Sequence, residues 1–251
     1  MTPEAVFRLY LNRHGKGPYG YPNAPWHNAV LLTHQEVQNA VEQTRKLGLP
    51  ALYYDDSKTW DSLAALDCIV KTTDHHARIL DAGTELYSLV LPWLYLYGYR
   101  NLVGINLVFK RPFKRGPIRY EYGDITHTGF EENSFDAITC LSVIEHGVDT
   151  SAFFKEAARL LKPGGHLITS TDYYSEPIDT HGQQAYGVPI RIFTRGDILS
   201  LLEEAQGYGL TPTGEINLAC QEKPVTWEEF QLDYTYAIFT LRKTGQESPL
   251  P

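Results

Sequence analysis

The sequence is short of cysteine, of long apolar runs and of positive charge, and each shortage closes off a class of protein. Its three cysteines, Cys68, Cys140 and Cys220, are widely spaced and include no CxxC pair. They offer neither a disulfide framework nor a zinc-ligand spacing, and their apolar surroundings predict reduced thiols in the core of a cytoplasmic protein. The most apolar window, Leu89 to Tyr99, is interrupted by Pro92 and falls short of the ~20 residues of a membrane-spanning helix. The opening MTPEAVFRLYLNRHGKG has no apolar run of the secretory kind. With 22 Lys and Arg against 30 Asp and Glu, the net charge is −8, so nucleic acid is not expected as a partner, and the short apolar window gives no reason to expect a membrane. The one basic cluster, Lys110-Arg111-Pro112-Phe113-Lys114-Arg115, reads as a solvated loop. No internal repeat or low-complexity tract interrupts the chain.

What is present suits a single α/β domain with an extension: 251 residues, with 43% hydrophobic and 21% charged. Its organising stretch is Asn133 to Tyr173. Phe135 to Leu141 has the length and composition of a strand, and a polar cluster of Ser142, Glu145 and His146 follows. Phe153, Ala157, Leu160 and Leu161 then recur at helical spacing. Asp149, Thr150 and Ser151 offer capping oxygens, Pro163-Gly164-Gly165 stops the helix, and His166 to Thr171 reads as a second strand. This is a β-α-β unit with parallel strands.

Strands are also expected at Ile79–Ala82, Asn101–Leu107 and Ile118–Tyr122, and helices at Ser88–Tyr97 and Thr194–Ala205. Two extended runs, Glu215–Cys220 and Tyr234–Arg242, end the pattern with no long helix between them, which suggests a terminal antiparallel pair. The fold expected is therefore α/β: a doubly wound, seven-stranded sheet, mainly parallel, with an antiparallel last strand. Residues 75–245 would form that domain, and residues 246–251 a tail. Residues 1–74 would be a loop and helical extension outside the sheet. In that extension a short helix is followed by the Gly- and Pro-rich loop HGKGPYGYPNAPW. A helix capped by Thr33 and Glu36 comes next, and then an amphipathic helix over Trp60–Lys71.

In such a sheet, ligands bind beyond the carboxyl ends of the strands. Those ends carry Asp81-Ala82-Gly83, Asn106, Gly123-Asp124, Ser142 with Glu145 and His146, and Thr171-Asp172-Tyr173. The runs FDAITCLSVIEHGVD and RLLKPGGHLITST resemble the fourth strand, following helix and fifth strand of class I S-adenosylmethionine (SAM)-dependent methyltransferases, especially those acting on small molecules. The resemblance implies a Rossmann-like fold and SAM as cofactor. It places Asp81, Gly83 and Glu85 in the loop that meets the methionyl part, although Glu85 and Tyr87 stand where that loop usually has glycine. Asn106 falls where an acid usually binds the ribose, which leads one to expect tighter SAM binding in Asn106→Asp. Asp124 and Ile125 fall beside the adenine. With Ser142, these are the expected cofactor contacts.

Methyl transfer to a hydroxyl needs in-line positioning and a proton acceptor. His146 is the candidate base and Glu145 a substrate or cofactor contact; a structural helix-start feature, with His146 bonding to backbone, is an equal alternative. No metal ligand set is apparent. Asp172, Asp179 and His181 read first as an Asx-rich surface loop, and His75-His76 as exposed. The function expected is methylation, at oxygen or nitrogen, of a small-molecule or glycan-like acceptor. The alternative is a methyltransferase-like binding or scaffolding protein without catalysis.

Overall fold

The computed structural model describes residues 17–51 and 55–245. The expected first helix and the tail at 246–251 lie outside the described residues. The chain runs β1 (Ala29–Val30), α1 (His34–Lys46), α2 (Lys58–Thr72), β2 (Arg78–Ala82), α3 (Val90–Leu96), β3 (Asn101–Asn106), β4 (Phe113–Arg115) and β5 (Ile118–Tyr122). It continues through β6 (Phe135–Leu141), α4 (Thr150–Leu160), β7 (Leu161–Tyr173), β8 (Gln184–Ala185), β9 (Val188–Pro189), α5 (Arg195–Gly207), β10 (Leu210–Pro212), β11 (Val225–Trp227) and β12 (Leu232–Lys243).

The strand order is β1-β12-β7-β6-β2-β3-β5-β4, with β10 and β11 also paired to β12. Strands β5, β3, β2, β6 and β7 are parallel, and β12 is antiparallel to β7, as expected. Three expectations fail at the rims. The sheet has ten strands rather than seven. Ala29–Val30 belongs to it, although everything before about Asp74 was placed outside. Glu215–Cys220 is not a strand, its place being taken by the shorter Leu210–Pro212. One cause explains these three, apart from strand β4 at the far rim. The 12 residues of β12 present a long outer edge, and an unpaired edge is an aggregation hazard. Short strands cover it piecewise: β11 at Leu232–Tyr234, β1 at Ala237–Ile238 and β10 at Leu241–Lys243. At the other rim, half of the basic cluster is strand β4 rather than loop, paired with β5 from Phe113↔Tyr120 to Arg115↔Ile118.

Successive residues along each strand face opposite layers. Ile79, Leu102, Ala137, Ile168 and Ile238 point into a core shared with α1, α2 and α3. Their neighbours Leu80, Val103, Ile138, Leu167 and Phe239 point into one shared with α4 and α5. Capping boxes of Thr33 with Glu36 and of Thr194 with Asp197 begin α1 and α5, and Asp149 accepts from Ala152 N–H at the start of α4. The helix α2 departs from its expected amphipathic form: Thr59 through Ile69 are all buried. It lies between the sheet and a second layer made by α1 and the loop before β1. Trp26 of that loop stacks on Trp60 and donates from its indole to the Trp60 carbonyl at 3.1 Å. Asp67, one of two acids buried in this helix with Asp61, accepts from Lys71 Nζ at 2.8 Å.

Candidate active site

The winding of the sheet reverses between β2 and β6, and the carboxyl ends of β2, β3, β5, β6 and β7 carry the candidate residues. At the end of β2, the N–H groups of Gly83 and Thr84 both donate to the Ile105 carbonyl, at 2.8 and 3.1 Å. Gly83 has φ +82, and a Cβ there would stand 2.4 Å from Val143 Cγ2, so only glycine fits this turn. Asn106 locks the same turn from β3. Its Nδ2 donates to the carbonyls of Gly83 and Thr84 at 3.1 and 3.0 Å, and its Oδ1 accepts from Val108 N–H at 3.1 Å. The Glu85 carboxyl comes to 3.4 Å from the same Nδ2, and burial raises its pKa above the ordinary glutamate value. Tyr87 is half-exposed. Asp124 accepts from the N–H and hydroxyl of Thr126, closing a turn after β5, and Ile125 packs against the second core.

Asp81 lies beneath this loop, 4% exposed, accepting from Thr139 Oγ1 at 2.7 Å. Burial pushes its carboxyl up to about 6, against the Thr139 and Thr84 hydrogen bonds that favour the charged form. A carboxyl whose pKa is raised from 3.8 costs the fold nothing when protonated and most when ionised, so the penalty grows as pH rises from about 4 to about 6. Asp81→Asn is therefore expected to be more stable than the parent at pH 7.5, by at most roughly 2–3 kcal/mol. That advantage should vanish by pH 4. Thermal melts of both proteins across this range check it, and an advantage independent of pH would refute it.

The second half of the site lies beyond β6 and β7. Ser142 sits at φ +52, a conformation rare outside glycine, with its N–H on the Ser170 carbonyl at 3.0 Å. Its hydroxyl accepts from the ammonium of Lys58, which reaches across from the first turn of α2. The Lys58 Nζ also stands 3.7 Å over the Tyr236 ring. Burial pulls the Lys58 pKa down, but Asp61, Asp172 and Glu145 together outweigh it and hold it above the ordinary lysine value. Lys58 is a cation here, not a base. Glu145 is 1% exposed: Oε2 accepts from Thr171 Oγ1 at 3.1 Å, while Oε1 has no partner among the described residues. Burial raises the pKa of Glu145, and burial with the charge of Glu145 raises that of Asp172 well above the usual range.

His146 follows in a turn closed by its own N–H on the Val143 carbonyl, and its ring packs edge-on against Tyr186. Burial, aided by the Lys58 charge, lowers its pKa to about 4, so the imidazole is neutral at pH 7 and able to take a proton. The expected surface loop divides in two. Asp179 and His181 are an exposed pair, with Asp179 Oδ2 3.0 Å from His181 Nδ1. Asp172, by contrast, is buried in β7. Lys58, Asp61 and Tyr236 were not foreseen, because helix α2 and strand β12 reach the site only through tertiary packing. The one local hint was an acid, Asp61, inside the apolar run WDSLAAL. Among the described residues no cluster of His, Cys, Asp and Glu could hold a metal ion, and no helix is long and apolar enough to cross a membrane.

The sheet order, the glycine turn after β2 and the polar strand ends define a class of fold, similar to that of class I SAM-dependent methyltransferases. Residues 80–169 match the family model described as a methyltransferase domain. Over 41 residues the chain is 51% identical to a ubiquinone biosynthesis O-methyltransferase of Xanthomonas oryzae pv. oryzae. Over 81 residues it is 38% identical to a tRNA U34 carboxymethyltransferase of Campylobacter curvus. These matches span 16% and 32% of this chain, and only 17% and 26% of those relatives' lengths. The fold is also that of the Burkholderia thailandensis 1,6-didemethyltoxoflavin-N1-methyltransferase, crystallised with its acceptor and S-adenosylhomocysteine. The TM-score is 0.54 at 18% identity, covering 91% of this chain and 94% of that one.

Proposed function

We propose that the protein methylates a small-molecule or glycan-like acceptor, at oxygen or nitrogen, using SAM. The observation that carries this reading is the meeting of two half-sites along one edge of the sheet. One is a glycine-only turn braced by Asn106; the other is a buried polar set beyond β6 and β7 that includes a neutral histidine. The first half fits SAM: the Gly83 turn closes the carboxyl end of β2 at φ +82, packed on Val143, and the half-buried Glu85 carboxyl lies beside it. Gly83, Glu85 and Asn106, with Asp81 beneath them, would hold the methionyl and ribose parts. Asp124 and Ile125 would flank the adenine, and Ser142 would face the junction with the acceptor. When bound, the cofactor supplies an electrophilic methyl group. The chain's own part is to align the acceptor, exclude water and receive the acceptor's proton at the neutral His146 ring, with Glu145 fixing the acceptor's orientation.

Side chains at 85 and 87, where the superfamily's loop has glycine, favour a second reading: a binding protein of the same fold without catalysis. Calorimetry separates the two, because the enzyme reading requires measurable binding of SAM or S-adenosylhomocysteine. The geometry reverses the expectation for Asn106→Asp. A carboxylate cannot donate to the Gly83 and Thr84 carbonyls, and it would add a charge beside Glu85. The variant is therefore expected to bind SAM about tenfold or more weakly, the cost of two lost hydrogen bonds. Tighter binding in the variant would show that a charge at position 106 gains more at the ribose than the turn loses with its brace. No binding by the parent protein at millimolar SAM would leave the non-catalytic reading standing.

A further inference from the structure

The polar set beyond β6 and β7 is unbalanced in charge. Three carboxyl groups from three separate elements, Asp61 of α2, Glu145 of the turn after β6 and Asp172 of β7, share, among the described residues, the ammonium of Lys58 alone. Each of the three has its pKa raised, burial being the largest cause. Such a site is stabilised by further positive charge or by further N–H donors, and it repels anions. Aromatic rings line its β12 side: Tyr234 and Tyr236 are 5% and 1% exposed, and an aromatic face attracts a cation.

A second observation points to a ligand independently of the charge count. Glu145 Oε1 is buried and partnerless among the described residues, although Oε2 of the same carboxyl is held by Thr171. A buried carboxylate oxygen without a donor is costly, and such atoms are ordinarily satisfied. The backbone beside it is held in an unusual state as well. Ser142, which receives the Lys58 ammonium, lies in the left-handed region without being glycine. Lys58 and Ser142 are only half-buried, so the cluster is approached from solvent across these two residues.

We propose that this cluster is the acceptor subsite and that it selects an amine, whose N–H group donates to Glu145 Oε1. The inference rests on the methyltransferase reading and narrows it: of oxygen and nitrogen acceptors, the site takes nitrogen. Lys58 offsets one of the three acids only, so the site still favours an amine over an anion. Carboxylate and phosphate groups meet three acids and are rejected.

Three isosteric probes separate the possibilities: benzylamine, benzyl alcohol and benzoate, titrated into the protein saturated with S-adenosylhomocysteine. Benzylamine is expected to bind, benzyl alcohol to bind at least tenfold more weakly, and benzoate not at all. Glu145→Gln should weaken benzylamine tenfold or more, by loss of a charge-assisted acceptor, while S-adenosylhomocysteine affinity stays as in the parent. Asp172→Asn, which leaves Glu145 in place, should weaken benzylamine in the same direction and serves if Glu145→Gln does not fold. The proposal is overturned if benzylamine fails to bind the cofactor-loaded protein, if benzoate binds as well as benzylamine, or if neither variant changes benzylamine affinity. Failure of S-adenosylhomocysteine itself to bind is a different result: it overturns the methyltransferase reading and the amine subsite with it.

Discussion

His146→Ala is expected to lower kcat by about 10²–10⁴-fold, the usual worth of a general base, and to leave SAM affinity nearly unchanged. The reason lies in where the residue sits. The turn after β6 presents His146 beyond the strand end, apart from the loop braced by Asn106, so its loss does not disturb the cofactor half. Its pKa of about 4 adds a sharper test. An ordinary histidine base would lose activity on acidification near pH 6.5, whereas His146 stays in its base form two units lower. The acid limb of kcat/KM attributable to it should therefore lie near pH 4. A limb above pH 5 that persists in His146→Ala belongs instead to Glu145 or Asp172, whose pKa values are raised. Parallel losses of kcat and SAM affinity would leave His146 a structural role.

Trp93→Ala carries the largest expected effect on stability. Trp93 of α3 is 1% exposed and its indole N–H donates to the Pro50 carbonyl at 2.9 Å, tying the segment before α2 to the sheet's first crossover helix. Truncating a buried tryptophan costs about 3–5 kcal/mol. In a protein of this size that corresponds to a fall in Tm of roughly 6–20 °C. Leu63, Leu66 and Ile69 of α2 share one core with Leu91, Trp93 and Ile79, so a single cooperative transition is expected in both proteins. Two resolved transitions in the calorimeter would mean that α1 and α2 open as a unit of their own. A fall of less than about 3 °C would show that the site collapses around the missing ring.

The sequence made the central β-α-β unit legible because its signals are local. Apolar runs gave β5 and β6 their observed bounds, and helix caps placed α1, α4 and α5 within a residue or two. The rims were not legible. Leu210–Pro212 and Ala29–Val30 are too short to show a period, and they are strands only because β12 offers them an edge. The buried acids were hidden for a related reason. Asp172 reads as the first residue of a polar loop, but β7 continues to Tyr173 and pairs there with Thr235 of β12. Lys58 precedes the helix expected over Trp60–Lys71 and carries no local signal of a site; only the docking of α2 against the strand ends brings it there. Asn106 reads as a weakened ribose ligand; its three hydrogen bonds to neighbouring backbone make it a brace.

The pairing of β1 with β12 has a consequence for how the molecule is made. Thr235 donates to the Leu31 carbonyl across 204 residues of chain, and Lys58 meets Tyr236 across nearly as many. On the ribosome, β2 to β7 can associate as they emerge, since each neighbour is already synthesised or close behind. The segment around Leu31 has no destination until β12 has left the exit tunnel, and Lys58 lacks its Tyr236 ring until then. Until then β7 presents an open edge and the three acids lack their aromatic wall, an intermediate exposed to intermolecular strand pairing. Synthesis interrupted shortly before residue 232 should thus yield chains held by chaperones, with a cofactor half already ordered and an acceptor half not yet in existence.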